Sequence, residues 1–360
     1  MKILKAILVS LLVFFAVLFV TIYLITFHPS EREEMKIVCT QGAPSLDKAK
    51  ELKVLSWNVQ YFAGKNRVFW YDVPDESGPD TAPSKEDVQD TLRKVALVLT
   101  KENPDIILLQ EVDDGSKRTF GEDQTERLLP LLHDAYPCRT EAFYWKAGFV
   151  PHPKVMGSAG MKLVTLSKYK ITTAVRTQLP IPPADMLSRQ FQLKRAILEA
   201  EISTANGTKF TILNTHLDAF SMGTDTMQKQ VDTISKILTT LDERKEEWIL
   251  AGDFNLLPPK FPRNSMHPHG AFFYSDQEEM KPLFNKWKPG ASVEELNGKE
   301  QSKYYTYFAN DPAIGKADRT IDYLFYSNQI SKSSYKVLQD GVAGHTSDHF
   351  PIVGTFKLSD

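Results

Sequence analysis

Hydrophobic and polar positions divide the chain into one unbroken apolar stretch and a long alternation of short apolar segments. Residues Ala6–Phe27 read AILVSLLVFFAVLFVTIYLITF and carry no charge. As a helix rising 1.5 Å per residue, such a stretch crosses ~30 Å of hydrocarbon. A cleaved leader has a shorter apolar core and small residues at its cleavage site. Here bulky Ile22, Tyr23, Leu24 and Ile25 stand where small residues would be. The stretch therefore reads as an uncleaved transmembrane signal anchor. Lys2 and Lys5 precede it, and Glu31, Glu33 and Glu34 follow it. The positive-inside rule then places the N-terminus in the cytosol and the remaining chain outside it, in a periplasmic, extracellular or lumenal space. Residues 29–51 mix charges with Gly42, Pro44 and Ser45 and read as a juxtamembrane linker.

Residues 52–360 read as one domain. Lys53–Val59 alternates like a strand. Ser84-Lys85-Glu86-Asp87 opens a helix as a capping box, and Val88, Leu92, Val95 and Leu99 give that helix an apolar face. Ile106–Leu109 is the continuous apolar run of a strand buried on both faces. Ala196–Ile202 and Phe210–Leu213 flank Asn206-Gly207, a strong hairpin signal. Met227, Val231, Ile234, Leu238 and Leu241 mark a second amphipathic helix. Trp248–Leu250, Thr320–Tyr326 and Ile352–Phe356 read as later strands. Hairpin-linked strands with few helices between them predict an α+β fold of two mixed sheets with helices outside.

Composition narrows the function. The chain of 360 residues is 42% hydrophobic and 24% charged, which excludes a largely disordered protein. Its net charge of −2 excludes a basic coat on nucleic acid. Cys39 and Cys138 are too few for a disulfide scaffold or a Cys-rich zinc site. In an oxidising space they can pair, or they stand as two unrelated thiols.

The informative polar residues follow the apolar strands. Asn58 ends the first, Gln110-Glu111 the next, and Asn214-Thr215-His216 a third. Gly252-Asp253-Phe254-Asn255 follows Trp248–Leu250, Asp322 lies in a late strand, and Ser347-Asp348-His349 precedes the last. Carboxylates at core strands cost free energy unless paired or holding a metal. Oxygen-rich sets suit hard cations, and histidines beside them are free for proton transfer or phosphate contact. That combination points to metal-assisted phosphoester hydrolysis.

The ordered set SWN (56–58), QE (110–111), NTH (214–216), GDFN (252–255), IDY (321–323) and SDH (347–349) resembles the endonuclease/exonuclease/phosphatase superfamily. That superfamily includes type I deoxyribonuclease-like nucleases, apurinic endonucleases, inositol polyphosphate 5-phosphatases and neutral sphingomyelinases. The resemblance implies a four-layer α/β/β/α sandwich. It implies Mg²⁺, or Mn²⁺ or Ca²⁺, held by Glu111, Asn58 and Asp348. It implies Asp253 orienting or deprotonating water, Asn255 holding water or phosphate, and His216 donating to phosphoryl oxygens. His349 matches the catalytic histidine, fixed by Asp322.

Other polar residues invite plainer readings. Asp218 reads as a strand-end residue and Trp57 as core. Lys162, Lys194 and Arg195 read as surface cations, His267 and His269 as loop residues, and His345 as a neighbour of the closing motif. The expected substrate is a phospholipid or sphingolipid head group, because the anchor keeps the site near a bilayer. Phe69–Tyr71 and Phe143–Trp145 could then form an apolar lip, although aromatic runs are more often core. The alternatives are an extracytoplasmic nuclease, an inositol-phosphate phosphatase and a non-catalytic membrane-tethered binding module. The nuclease is disfavoured by 37 basic against 41 acidic side chains in residues 51–360. The phosphatase is disfavoured by Leu256-Leu257-Pro258-Pro259 after Asn255 and by RTIDY at 319–323. No obligate protein partner is expected, and the domain reads as a monomer.

Overall fold

A computed structural model describes residues 1–219 and 221–359. Its strands are β1 (Arg32–Glu34), β2 (Ile37–Cys39), β3 (Leu52–Asn58), β4 (Ile106–Asp113), β5 (Cys138–Val150), β6 (Gly157–Ser167) and β7 (Ile171–Gln178). Then come β8 (Ala196–Ser203), β9 (Lys209–His216), β10 (Glu247–Asp253), β11 (Lys288–Pro289), β12 (Asp322–Tyr326), β13 (Ser331–Val337) and β14 (Ile352–Lys357). They form two seven-stranded mixed sheets, ordered β1-β7-β8-β9-β10-β12-β11 and β13-β14-β3-β4-β6-β5-β2. Three helices matter here: α1 (Lys2–Ile25), α2 (Lys85–Glu102) and α3 (Thr226–Glu243).

The two-residue period of the strands builds the layers. In β4, Ile106 and Leu108 face the other sheet and meet Ile212, Ile249 and Leu324, while Ile107 and Leu109 face Val88, Val95 and Leu99 of α2. In β10, Trp248 and Leu250 face Val231, Ile234 and Leu238 of α3, and Ile249 and Ala251 face inward. The result is the expected α/β/β/α sandwich. Ser84 and Asp87 form the capping box at the start of α2, and Asn103, at φ 46°, ends that helix. Gly207, at φ 77°, turns β8 into β9.

Among the described residues α1 is the one helix long and apolar enough to cross a membrane, and none of its side chains is buried. The stretch expected to be a linker is built into the sandwich. β1 extends one sheet alongside β7, and β2 extends the other alongside β5. Cys39 and Cys138 face each other in the β2–β5 register and are disulfide-bonded. Phe69 is buried against Tyr61, and Tyr144 is fully buried, so one ring of each aromatic run packs inward, while Trp70, Tyr71, Phe143 and Trp145 stay half-buried.

Candidate active site

The ends of β3, β4, β9, β10 and β12 converge at one edge of the sandwich. Asn58 is the last residue of β3, His216 of β9 and Asp253 of β10. Parallel pairing of β9 with β10 puts His216 level with Asp253, and antiparallel pairing puts Asp322 opposite Asp253. Glu111 sits in a register break of β4 between Leu109 and Val112, at φ 57°. Such a bulge re-aims a side chain, and here it brings the Glu111 carboxylate into the cleft. Gly252 explains its place in GDFN by close packing: a Cβ there would lie 2.0 Å from the Thr215 carbonyl oxygen.

Asp253 is the hub. Its Oδ2 accepts from Asn58 Nδ2 at 2.9 Å and lies 3.3 Å from His216 Nε2 and 3.6 Å from His349 Nε2. Its Oδ1 accepts from the Asn255 amide at 2.9 Å. Asn58 Nδ2 also donates to Glu111 Oε1 at 3.1 Å, so one amide nitrogen holds two carboxylates. Asn255 Nδ2 lies 3.1 Å from His216 Nε2. His349 Nδ1 pairs with Asp322 Oδ2 at 2.8 Å, and the indole of Trp57 donates to the His349 carbonyl at 2.9 Å. Trp57 is therefore core, as expected, and also fixes the histidine's backbone. Asp348 lines the same cleft of about 110 Å³. Its carboxylate lies outside the two clusters with metal-ligand spacing among the described residues, Glu111–His216–Asp253 and Asp253–Asp322–His349.

Burial sets the charges. It pushes the Glu111 carboxyl up, with Asp348 adding to the effect. It pushes Asp253 up to about 7 against the opposing pull of His349. Burial alone would draw the His349 imidazole down, but Asp322 and Asp253 outweigh it and raise it to about 10. His216 is held well below its usual range by burial and then by the Arg195 charge, so it is neutral. One histidine is thus a charged donor and the other an uncharged ring. A half-buried and a buried carboxylate that resist ionisation, Glu111 and Asp253, joined by an oxygen-bearing amide, fit a hard divalent cation, whose charge would favour their ionised forms.

Tyr144, Asp72 and Tyr307 enter the site unannounced by the sequence, and Gln110 and Asn214 take a place beneath it. Tyr144 reaches from β5 to accept from the Glu111 amide at 3.2 Å and to meet His216 Nδ1 at 3.2 Å. Asp72, in the stretch between β3 and α2, lines the cleft and is pushed up to about 8 by burial and then by Asp348. Tyr307 packs on His349, with ring centres 4.8 Å apart. Beneath the site Gln110 Nε2 donates to Asn214 Oδ1 at 2.7 Å, and Asn214 Nδ2 donates across the sandwich to the Leu109 and Val164 carbonyls.

Lys162, Lys194 and Arg195 are not surface cations: each is buried. Lys162 is enclosed by Asp114, Asp123 and Glu141. Arg195 lines the cleft, 5.1 Å over the Tyr144 ring. His267, His269 and His345 stay exposed and outside the cleft, although His269 pairs with Asp311 at 2.6 Å. Asp218 is buried just past β9.

A sequence profile described as Endonuclease/Exonuclease/phosphatase family matches residues 55–349. The chain belongs to that family. Members of the endonuclease/exonuclease/phosphatase family are metal-dependent phosphoesterases, and this chain is an enzyme of that class. It is 26% identical over 331 residues to the inositol phosphosphingolipids phospholipase C of Schizosaccharomyces pombe, covering 86% of this chain and 69% of that protein. A family structure from Beutenbergia cavernae superposes with a TM-score of 0.59 at 20% identity, covering 86% of this chain and 72% of the other. D. rerio TDP2 in complex with a single-strand DNA product gives 0.52 at 16% identity, covering 85% and 99%. These two likenesses concern the fold.

Proposed function

We propose that this family member is a membrane-anchored phosphodiesterase that uses a divalent cation, Mg²⁺ first among candidates, to cleave a phospholipid or sphingolipid head group. The observation that carries the reading is Asp253, buried between a neutral His216 and a charged His349 and tied through Asn58 to Glu111. The apolar helix and the likeness to a phosphosphingolipid phospholipase C favour a lipid.

Glu111 would hold the cation, with Asn58 and Asp348 beside it. When bound, the cation would offset charge growing on the phosphoryl oxygens. Asp253, poised near neutrality, accepts the proton of the attacking water. His349 carries its proton at neutral pH and so donates from Nε2 to a phosphoryl oxygen, while Asp322 keeps Nδ1 engaged. His216 and Asn255 position the opposite side of the phosphate. In a phospholipase C type of cut, the water oxygen bonds to phosphorus as the bond from phosphorus to the lipid-alcohol oxygen breaks; the lipid alcohol leaves and takes up a proton from solvent, and the phosphorylated head group is released.

The test is a panel of phosphosphingolipid and phospholipid vesicles, DNA and inositol phosphates, with the full chain and Mg²⁺. Glu111→Gln and His349→Ala serve as blanks. Release of phosphorylated head group above the blanks, exceeding turnover of DNA and inositol phosphates, supports the reading. Faster DNA cleavage sinks it.

A further inference from the structure

Resting on the membrane-anchored reading above, we propose that the domain is locked in one pose against the bilayer that α1 enters. The end of the β5–β6 hairpin and the 185–187 loop form the face that dips into that leaflet.

No flexible tether separates helix from domain. Thr26, the residue after α1, forms a bridge with Ala147 of β5. Ile25 packs against Gly148, its Cβ 3.5 Å from where a Cβ on that glycine would stand. The Phe27 ring lies 5.5 Å from the guanidinium of buried Arg176, and Arg176 Nη1 donates to the Ser30 carbonyl at 3.4 Å. β1 then pairs with β7, β2 pairs with β5, and the Cys39–Cys138 bond closes the attachment. A coil of the expected linker length would let its ends wander by ~5–6 Å times the square root of its residue number. Here only residues 26–31 lie between α1 and β1, and most of them are held.

The surface beside this attachment is apolar. Phe149 is 40% exposed and Met156 50%, both at the turn of the β5–β6 hairpin. Met186 is 70% exposed and Leu187 52%, on a loop joined to β5 where the Trp145 indole donates to the Phe191 carbonyl at 2.9 Å. Exposed Lys146, Lys154 and Arg189 flank these side chains. Apolar tips with Lys146, Lys154 and Arg189 close by in the chain, against the single acid Asp185, match the head-group layer, with its hydrocarbon below and phosphates above. The occupant follows from α1, because wherever that helix enters the bilayer, Ala147 and Gly148 must lie at its surface.

The same strand measures the distance to the chemistry. Tyr144, which touches Glu111 and His216, precedes Ala147 by three residues, ~10 Å along β5 at 3.3 Å per residue. The cleft is thus placed at head-group height in the leaflet that holds its own anchor. Arg195, on its wall, ends the segment that carries Met186 and Leu187.

The test uses the full chain in phosphatidylcholine nanodiscs. A bimane label is placed at Met156→Cys, Met186→Cys and, as a distant control, Leu97→Cys on α2. The only two cysteines of the chain are bonded to each other, so each label site is unique. Brominated acyl chains should quench labels at 156 and 186 roughly threefold more than at 97. Equal quenching at all three overturns the pose. A second variant inserts fifteen Gly/Ser residues between Pro29 and Ser30. The pose predicts a loss of about fivefold in head-group release from the same membrane, with hydrolysis of soluble bis-p-nitrophenyl phosphate unchanged. Unchanged lipid turnover overturns it. Quenched probes without lipid hydrolysis support the pose and sink only the lipid-substrate reading. Lipid hydrolysis with unquenched probes sinks only the pose.

Discussion

The Asp253 carboxylate, from β10 of one sheet, lies 3.6 Å from His349 Nε2, which precedes β14 of the other. The sandwich thereby brings the proposed proton acceptor and proton donor together across its inter-sheet seam. Asp253→Asn and His349→Ala should each lower kcat by ~10²–10⁴. Thermal melts should show both variants folded. Near-normal turnover in either would remove that residue from the chemistry.

Glu111 makes a separate prediction about the cation. Its carboxyl is pushed up by burial, so a bound divalent ion should stabilise the fold as well as enable turnover. Mg²⁺ should raise the Tm of the native protein in differential scanning calorimetry, and EDTA should abolish both the shift and the activity. Glu111→Gln should show little Tm response. An equal response in the variant would move the cation elsewhere.

Asn214 stitches the sheets through bonds to Leu109, Val164 and Gln110. Asn214→Leu leaves those buried groups unsatisfied and should cost ~1–3 kcal/mol in denaturant unfolding. His216 lies two residues on, so kcat should fall in the same variant. A neutral ΔΔG would show that water replaces the amide.

The Cys39–Cys138 bond closes a loop with a sequence separation of 99. Chain entropy for such a loop gives ~4–5 kcal/mol of stabilisation. Cys39→Ser should therefore melt well below the native protein, and its β2 amides should exchange first in hydrogen-exchange mass spectrometry. Unchanged protection at Ile37–Cys39 would mean that pairing with β5 alone holds the strand.

Much of this site was legible in the sequence because strand ends carry their polar residues next to apolar runs. Asn58, Glu111, His216, Asp253, Asn255, Asp322, Asp348 and His349 all line or adjoin one cleft. The misses share a physical reason. Lys162 is buried because Asp114, Asp123 and Glu141 surround it, and those partners lie far away along the chain. Tyr144 reads as one more aromatic in an alternating strand until the fold sets it beside His216. β1 and β2 are three residues each, too short to show a period, and they form because β7 and β5 present free edges.

The most direct test of the central claim is release of phosphorylated head group from phosphosphingolipid vesicles by the full chain with Mg²⁺, measured beside Glu111→Gln. The account predicts release that stops in EDTA and is lost in the variant. Release at the level of the Glu111→Gln blank, or equal release in EDTA, would contradict it.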